Sequence, residues 1–498
     1  MRNAALAGIV SRFAAIAVVA LSVPGAIGFA SAEDAAKKTR QPNIVLIFAD
    51  DLGWKDVGYN GTEFYETPNI DRFRKEGMAF HAAYVGGANC QPSRACLMSG
   101  QYTPRHDVYA VGSTDRGPRE LMRLTPVPNK PYLEGANYTM AEALHDAGYA
   151  TAHFAKWHLN QGPGTLPTDQ GFDISMKEKK EGSKGKADDP KRVFGVTEQV
   201  GKFMEENKDR PFFAYVAHNA VHTPHQARGE TLSKYESKKP GKLQKDPLYA
   251  ACIADFDESV GQLLAKIKEL GLEENTIVVF TSDNGGTPIT PQEPLRGNKG
   301  AYYEGGIREP FVVRWPGKVK PNSSCNVPVM TIDLYPTFLA AAGAKAPSDK
   351  ILDGESLLPL LEGGDKLARQ SLFWHFPGYL DTPVIRGRDE VFRTRPVSVI
   401  RKGDWKLLLY HEEWLLDGGR DKLATNRAVE LYNLADDEGE RDDVSNSNTA
   451  KRDELLGDLL AWFKATDAKL PTERTASESP SGTSKKAKKK RFFRKLSG

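Results

Sequence analysis

Four apolar runs of strand length end abruptly on charged or polar residues, and no other feature constrains the fold of this chain so tightly. Asn43-Ile44-Val45-Leu46-Ile47-Phe48-Ala49 runs into Asp50-Asp51, and the run from Asn275 to Thr281 ends in Ser282-Asp283-Asn284-Gly285-Gly286. Tyr149 to Ala155 leads to Lys156-Trp157-His158, and Pro211 to Ala217 leads to His218 and His222. Continuous apolar runs belong to strands buried on both faces, as in a parallel sheet covered by helices. Helical spacing fills the intervals: Ile253, Phe256, Val260, Leu263, Leu264, Ile267 and Leu270 share one face, and Gly271 supplies a stop. Asn137 or Thr139 caps another predicted helix that ends near Gly148. The expected class is α/β, with a large mixed, mainly parallel sheet sandwiched by helices. Ligands bind beyond the carboxyl ends of the strands in such folds, so the polar clusters are expected to converge.

The texture changes after about Arg395. Val397 to Tyr410 reads as a hairpin turning at Lys402-Gly403-Asp404, Glu430 to Leu434 adds a strand, and Lys451 to Lys464 carries the apolar stripe of a closing helix. The expected organisation is a signal peptide over 1–32, an α/β domain over 33–394, a smaller antiparallel subdomain over 395–466 and a disordered basic tail over 467–498. The signal rests on Arg2 and Arg12 before the apolar stretch from Phe13 to Ala30, with Ala30-Ser31-Ala32 as a small-residue cleavage site. Export to a periplasmic or extracellular location follows as an expectation, and no later stretch is apolar enough for a stable membrane span. The net charge of +3 misleads. Two signal arginines and eight basic residues from Lys485 to Lys495 outweigh it, so the rest of the chain is acidic and nothing in it suggests nucleic-acid binding.

Adjacent carboxylates at a strand end repel each other unless a cation lies between them. Asp50-Asp51 together with Asp283-Asn284 offer oxygen ligands only, which selects a hard cation such as Ca²⁺ or Mg²⁺. Between them in the chain lies Cys90-Gln91-Pro92-Ser93-Arg94-Ala95-Cys96-Leu97-Met98-Ser99-Gly100. Pro92 suits a first helical turn, which places Cys90 at or just before a helix N-terminus where an anion is favoured. Four cysteines allow two disulfides in an exported chain, a count that fails if Cys90 is modified.

This run closely resembles the signature of the type I, formylglycine-dependent sulfatases, in the alkaline phosphatase superfamily. The resemblance extends from Pro42 to about Lys464 and takes in Lys156-Trp157-His158, His222-Thr223-Pro224, Lys299 and Asp333-Leu334-Tyr335-Pro336-Thr337. It implies that a formylglycine-generating maturation enzyme oxidises Cys90 to an aldehyde, whose hydrate attacks a sulfate ester. A second hydroxyl on the same carbon then expels sulfate. It further implies that Asp50, Asp51, Cys90, Asp283 and Asn284 ligate one divalent ion, most often Ca²⁺. Arg94 binds the nucleophile, Lys156 the sulfate, His158 the formylglycine hydroxyl and Lys299 the bridging oxygen, while His222 is the general acid. The implied substrate is a sulfated carbohydrate or aryl sulfate.

Two competing readings stand beside this one. A formylglycine enzyme can act on phosphate or phosphonate esters, and an exported glycan-binding protein would never receive the modification. His218 and His225 are further candidates near the acid. Trp374 and Tyr379 are either core aromatics or a stacking platform for a sugar ring.

Overall fold

The computed structural model describes residues 41–176 and 186–474. The expected signal peptide and most of the basic tail lie outside them.

Eight strands form the main sheet. In chain order they are β1 (Asn43–Ala49), β2 (Met78–Phe80), β3 (Ala150–Ala155), β4 (Ile174–Met176), β5 (Phe212–Ala217), β6 (Thr276–Ser282), β7 (Val312–Arg314) and β8 (Ser323–Cys325). Their spatial order is β8-β2-β7-β6-β1-β5-β3-β4. The central strands β6, β1, β5, β3 and β4 pair in parallel, and β7 runs against both of its neighbours. The four apolar runs therefore sit side by side, and their polar ends share one edge.

Alternation along β1 explains the layers. Val45, Ile47 and Ala49 join a core that includes Val200 and Phe203 of α3 (Val193–Glu206) and Phe256 and Leu263 of α4 (Pro247–Glu269). Ile44, Leu46 and Phe48 face the opposite core, built with Leu97 of α1 (Cys90–Ser99), Leu144 of α2 (Met140–Asp146) and Phe338 of α5 (Leu334–Ala342). All seven residues of β1 are buried, and burial of each large aliphatic or aromatic side chain stabilises the fold by about 1.5–3 kcal/mol. Local signals delimit the helices. Thr139 closes a capping box with Glu142 at the start of α2, and Gly271, at φ 68°, ends the turn after α4.

The antiparallel sheet expected in the C-terminal region is present, but its edge strand starts at Ser371, upstream of the expected boundary at 395. β9 (Ser371–Phe376), β10 (Val397–Lys402), β11 (Trp405–Tyr410) and β12 (Val429–Asn433) form a four-stranded meander. Leu455, Leu456, Leu459 and Phe463 of α6 (Thr449–Thr466) pack in the core on this sheet. Past α6 the chain stays tied down beyond the boundary at 466. His375 Nε2 meets Lys469 O at 2.9 Å, and Thr472–Glu473 pairs antiparallel with Leu124–Thr125. Backbone pairing of this kind is invisible in a polar sequence of low complexity.

One buried ion cluster joins this sheet to the loop that carries Lys299. Lys406 of β11, fully buried, lies 2.9 Å from Glu304 and 2.8 Å from Glu440. Trp374 and Tyr379 are core residues: both are buried, the Trp374 indole donates to Val85 O at 2.7 Å, and Tyr379 Oη donates to Glu412 at 2.5 Å. The four cysteines are buried and unpaired with one another.

Candidate active site

The sheet edge delivers the site. Asp50-Asp51 follow β1, Lys156 follows β3, His218 follows β5 and Asp283-Asn284 follow β6. Adjacent strands hold them in register: Lys156 N donates to Ala217 O at 2.8 Å, His218 N to Phe48 O at 3.0 Å and Asp283 N to Ala49 O at 3.1 Å. Three residues at this edge, Asp51, Ala155 and His158, have positive φ of 63°, 72° and 65°. Such conformations are uncommon for residues other than glycine and cluster where a site dictates geometry.

Cys90 is the first residue of α1, every residue of which is buried. Its Sγ lies 3.1 Å from Lys299 Nζ and 3.8 Å from Asp51 Oδ1. Burial pushes the thiol up to about 12, against the pull of Lys156 and Lys299. An unmodified thiol here is almost wholly protonated at neutral pH and a poor nucleophile.

Around it, cations and carboxylates interlock. Lys299 Nζ contacts Asp51 Oδ1 at 2.6 Å, and Lys156 Nζ grips both oxygens of Asp50 at 3.0 and 2.8 Å. Arg94 Nε and Nη2 reach Asp283 Oδ2 at 3.0 and 2.7 Å, while its Nη1 donates to Lys156 O at 2.9 Å. Burial raises the Asp50 carboxyl, but Lys156 foremost, then His222 and Arg94, bring it well below the usual carboxylate range. Lys299 and Lys156 are held above the ordinary ammonium range: burial opposes the charge, and Asp51 and Asp50 respectively overcome it. Asp283 is pushed up by burial and then by Asp50, despite Arg94.

The donors fit a metal ion. Asp50, Asp51, Cys90 and His222 each offer a ligand atom, and these atoms lie within 4.8 Å of one another. Asn284 Nδ2 donates to Asp51 Oδ1 at 2.8 Å, leaving the buried Asn284 Oδ1 without a partner. An orphaned carbonyl-type oxygen beside three buried carboxylates is an arrangement that a cation completes. Asp283 sits one step away, with Oδ2 on Arg94 and Oδ1 accepting from Asp51 N at 3.1 Å.

His222 and His158 face the site differently. His222 Nδ1 lies 2.6 Å from Thr223 O and so carries a proton; Nε2 is 3.7 Å from Asp51 Oδ2, and the side chain is 25% exposed. It is the partly exposed histidine of the cluster. Burial pushes His158 down to about 3, with Lys156 adding to the effect, and its Nδ1 has no partner. His158 is therefore a neutral ring, able to accept or donate one hydrogen bond.

The Sulfatase family profile matches residues 42–344, and the profile described as N-sulphoglucosamine sulphohydrolase, C-terminal, matches residues 298–459. The chain belongs to the sulfatase family. It is a sulfatase of the alkaline phosphatase superfamily, an enzyme that hydrolyses sulfate monoesters. A sulfatase from Formosa agariphila is 33% identical, over 87% of this chain and 91% of that protein. N-acetylgalactosamine-6-sulfatase from Mus musculus is 33% identical over 68% of this chain and 70% of its own. Among solved structures, Ps i-CgsB in complex with k-i-k-neocarrahexaose aligns with a TM-score of 0.66 at 29% identity, covering 88% of this chain and 96% of that one.

Every predicted site residue reaches the sulfatase's strand-end cluster or its border. The resemblance implies an acid role for His222; the fold also sets its ring nitrogen within 4.8 Å of donor atoms of Asp50, Asp51 and Cys90. Gln91, next to Cys90, also builds the site: its Nε2 ties Pro131 O at 2.8 Å to His158 O at 2.9 Å. That clamp carries no sequence signal, because both partners are main-chain atoms. His218 is fully buried edge-on to Phe256 at 5.1 Å, and His225 stands edge-on to Tyr249 at 5.0 Å. Among the described residues, no helix is long and apolar enough to cross a membrane.

Proposed function

We propose that this enzyme is exported and removes sulfate from sulfated carbohydrates, using residue 90 as formylglycine and one Ca²⁺, with Mg²⁺ as the alternative ion. The observation that carries the reading is the setting of Cys90: at a helix N-terminus, in contact with Lys299, beside Asp51, and poorly ionised as a thiol. A residue so placed is better explained as the precursor of an oxygen nucleophile than as a thiolate. The relative named N-acetylgalactosamine-6-sulfatase and the neighbour in complex with k-i-k-neocarrahexaose support a carbohydrate substrate.

In this reading Asp50, Asp51, Asp283, Asn284 and residue 90 hold the ion. When bound, a divalent ion supplies positive charge that orients the nucleophile and stabilises the sulfuryl oxygens. Arg94 fixes Asp283 and holds residue 90 in a cationic surround. Lys156 and Lys299 form fixed positive charge for the sulfate, His158 hydrogen-bonds the nucleophilic hydroxyl, and His222 protonates the departing alcohol. The partial exposure of His222 supports this role. The α/β domain carries the catalysis, the C-terminal sheet β9–β12 with α6 steadies the Lys299 loop through Lys406, and a maturation enzyme acts on Cys90.

The test compares kcat/KM for a sulfated monosaccharide, nitrophenyl sulfate, nitrophenyl phosphate and a phosphonate ester. A preference for sulfate esters is expected. A large preference for phosphate or phosphonate would overturn the reading, as would glycan affinity without turnover.

A further inference from the structure

Four arginines lie between positions 386 and 395, and three of them end on carboxylates. Arg386 pairs with Glu293 at 3.4 Å, Arg388 with Glu413 at 2.8 Å and Glu430 at 3.1 Å, and Arg395 with Asp389 at 2.5 Å and Glu412 at 2.8 Å. Arg393 differs. Among the described residues it has no carboxylate within 4.0 Å, and its guanidinium donates to main-chain oxygens, Nε to Thr382 at 3.2 Å and Nη1 to Lys299 at 3.3 Å.

Its location is informative. The side chain lies against Gly300, where an added Cβ would stand 2.2 Å from Arg393 Cδ, so only glycine lets the arginine lie there. The neighbouring Lys299 reaches Asp51 and Cys90 at 2.6 and 3.1 Å. Arg393 therefore borders the reaction centre from the side of the Leu380–Asp381 and Phe392–Thr394 hairpin. Asp381 of that hairpin is occupied by Arg116, which bonds it at 2.7 and 3.1 Å. Burial, and then repulsion from Arg116, hold the Arg393 guanidinium below its ordinary range against the pull of Asp381 and Asp51.

A half-buried guanidinium that no carboxylate touches costs free energy that a carboxylate in contact would have offset, as it does at the other three arginines. The planar fork matches a carboxylate or a sulfate oxygen pair. The scissile sulfate already has Lys156 and Lys299. We propose that Arg393 is a specificity-determining residue that binds a second anionic group, a sulfate ester or a carboxylate, on the sugar whose sulfate is cleaved. The proposal rests on the carbohydrate sulfatase reading and adds the substrate class: doubly anionic sugars.

The experiment uses the full-length enzyme, Arg393→Met and Arg393→Lys, with four probes: nitrophenyl sulfate, a monosulfated neutral sugar, a disulfated hexosamine and a sulfated disaccharide containing a uronate. Arg393→Met is expected to lower kcat/KM by about 10- to 100-fold for at least one doubly anionic probe, chiefly through KM, with partial rescue by Arg393→Lys. Nitrophenyl sulfate and the neutral sugar should change by less than about twofold. The disulfated and uronate arms identify which anion is read. Equal losses on all four probes, or none on either doubly anionic probe, would overturn the proposal. Calorimetry of the same sugars in a Cys90→Ala background separates the two readings. If no sulfate ester is turned over, the functional reading fails by itself, and the Arg393 proposal then stands on a 10-fold or greater affinity loss for the doubly anionic sugar and falls with its absence.

Discussion

Replacing Arg94 by methionine tests the electrostatic logic of the site. Both Arg94 and Asp283 have fully buried side chains, joined at 2.7 Å through Nη2 with a second bond from Nε at 3.0 Å. Removing one partner of such a pair strands a buried carboxylate, at about 3–5 kcal/mol. The lost donation from Nη1 to Lys156 O brings the expected destabilisation to about 4–6 kcal/mol. For a chain of this size that amounts to a melting-temperature drop of roughly 4–6 °C, because the unfolding entropy scales with length. Differential scanning calorimetry in a chelating buffer, with Arg94→Met/Asp283→Leu as partner, is the assay. The double variant is expected to be more stable than Arg94→Met alone by about 2–3 kcal/mol, since it buries no lone charge. A single variant within about 1 kcal/mol of wild type, or a double variant that is the least stable of the set, would refute the reasoning.

Other perturbations read different parts of the account. Asp51→Asn removes one formal charge from the ligand group and should weaken Ca²⁺ binding about 100-fold or more by calorimetry; unchanged affinity would mean that the ion sits elsewhere. His222→Ala should cost about 10²–10⁴ in kcat for sugar sulfates and far less for nitrophenyl sulfate, whose leaving group needs no proton; equal losses on both would remove His222 as the acid. Glu440 is raised to about 7, first by burial and then by Glu304, against Lys406. The folded chain thus holds a proton that the unfolded chain releases near the ordinary glutamate range, and the stability this confers is lost as pH rises towards 7. Glu440→Gln should flatten the decline in melting temperature between pH 5 and 8, whereas an identical decline in both proteins would contradict that cause.

Much of this was legible in the sequence because its signals are local. A strand run ending on Asp50-Asp51 or Asp283-Asn284 states both its burial and its chemistry within a few residues. Pro92 three positions into a helix that opens at Cys90 is likewise a short-range cue. The rest depends on partners far away in the chain. The lone status of Arg393 emerges only once Glu293, Glu412, Glu413 and Glu430 have been assigned to its neighbours. The reversed strand β7 is three residues long and carries no periodic signature. Lys406 reads as an ordinary hairpin lysine until the fold buries it between Glu304 and Glu440.

The central claim is that residue 90 works as an oxygen nucleophile made from a cysteine. A mass spectrum of the peptide containing residue 90, taken from enzyme whose sulfate release has just been measured, tests it most directly. The account predicts an aldehyde in place of the thiol, in a fraction that tracks specific activity. Full activity with an unmodified thiol at residue 90 would contradict it.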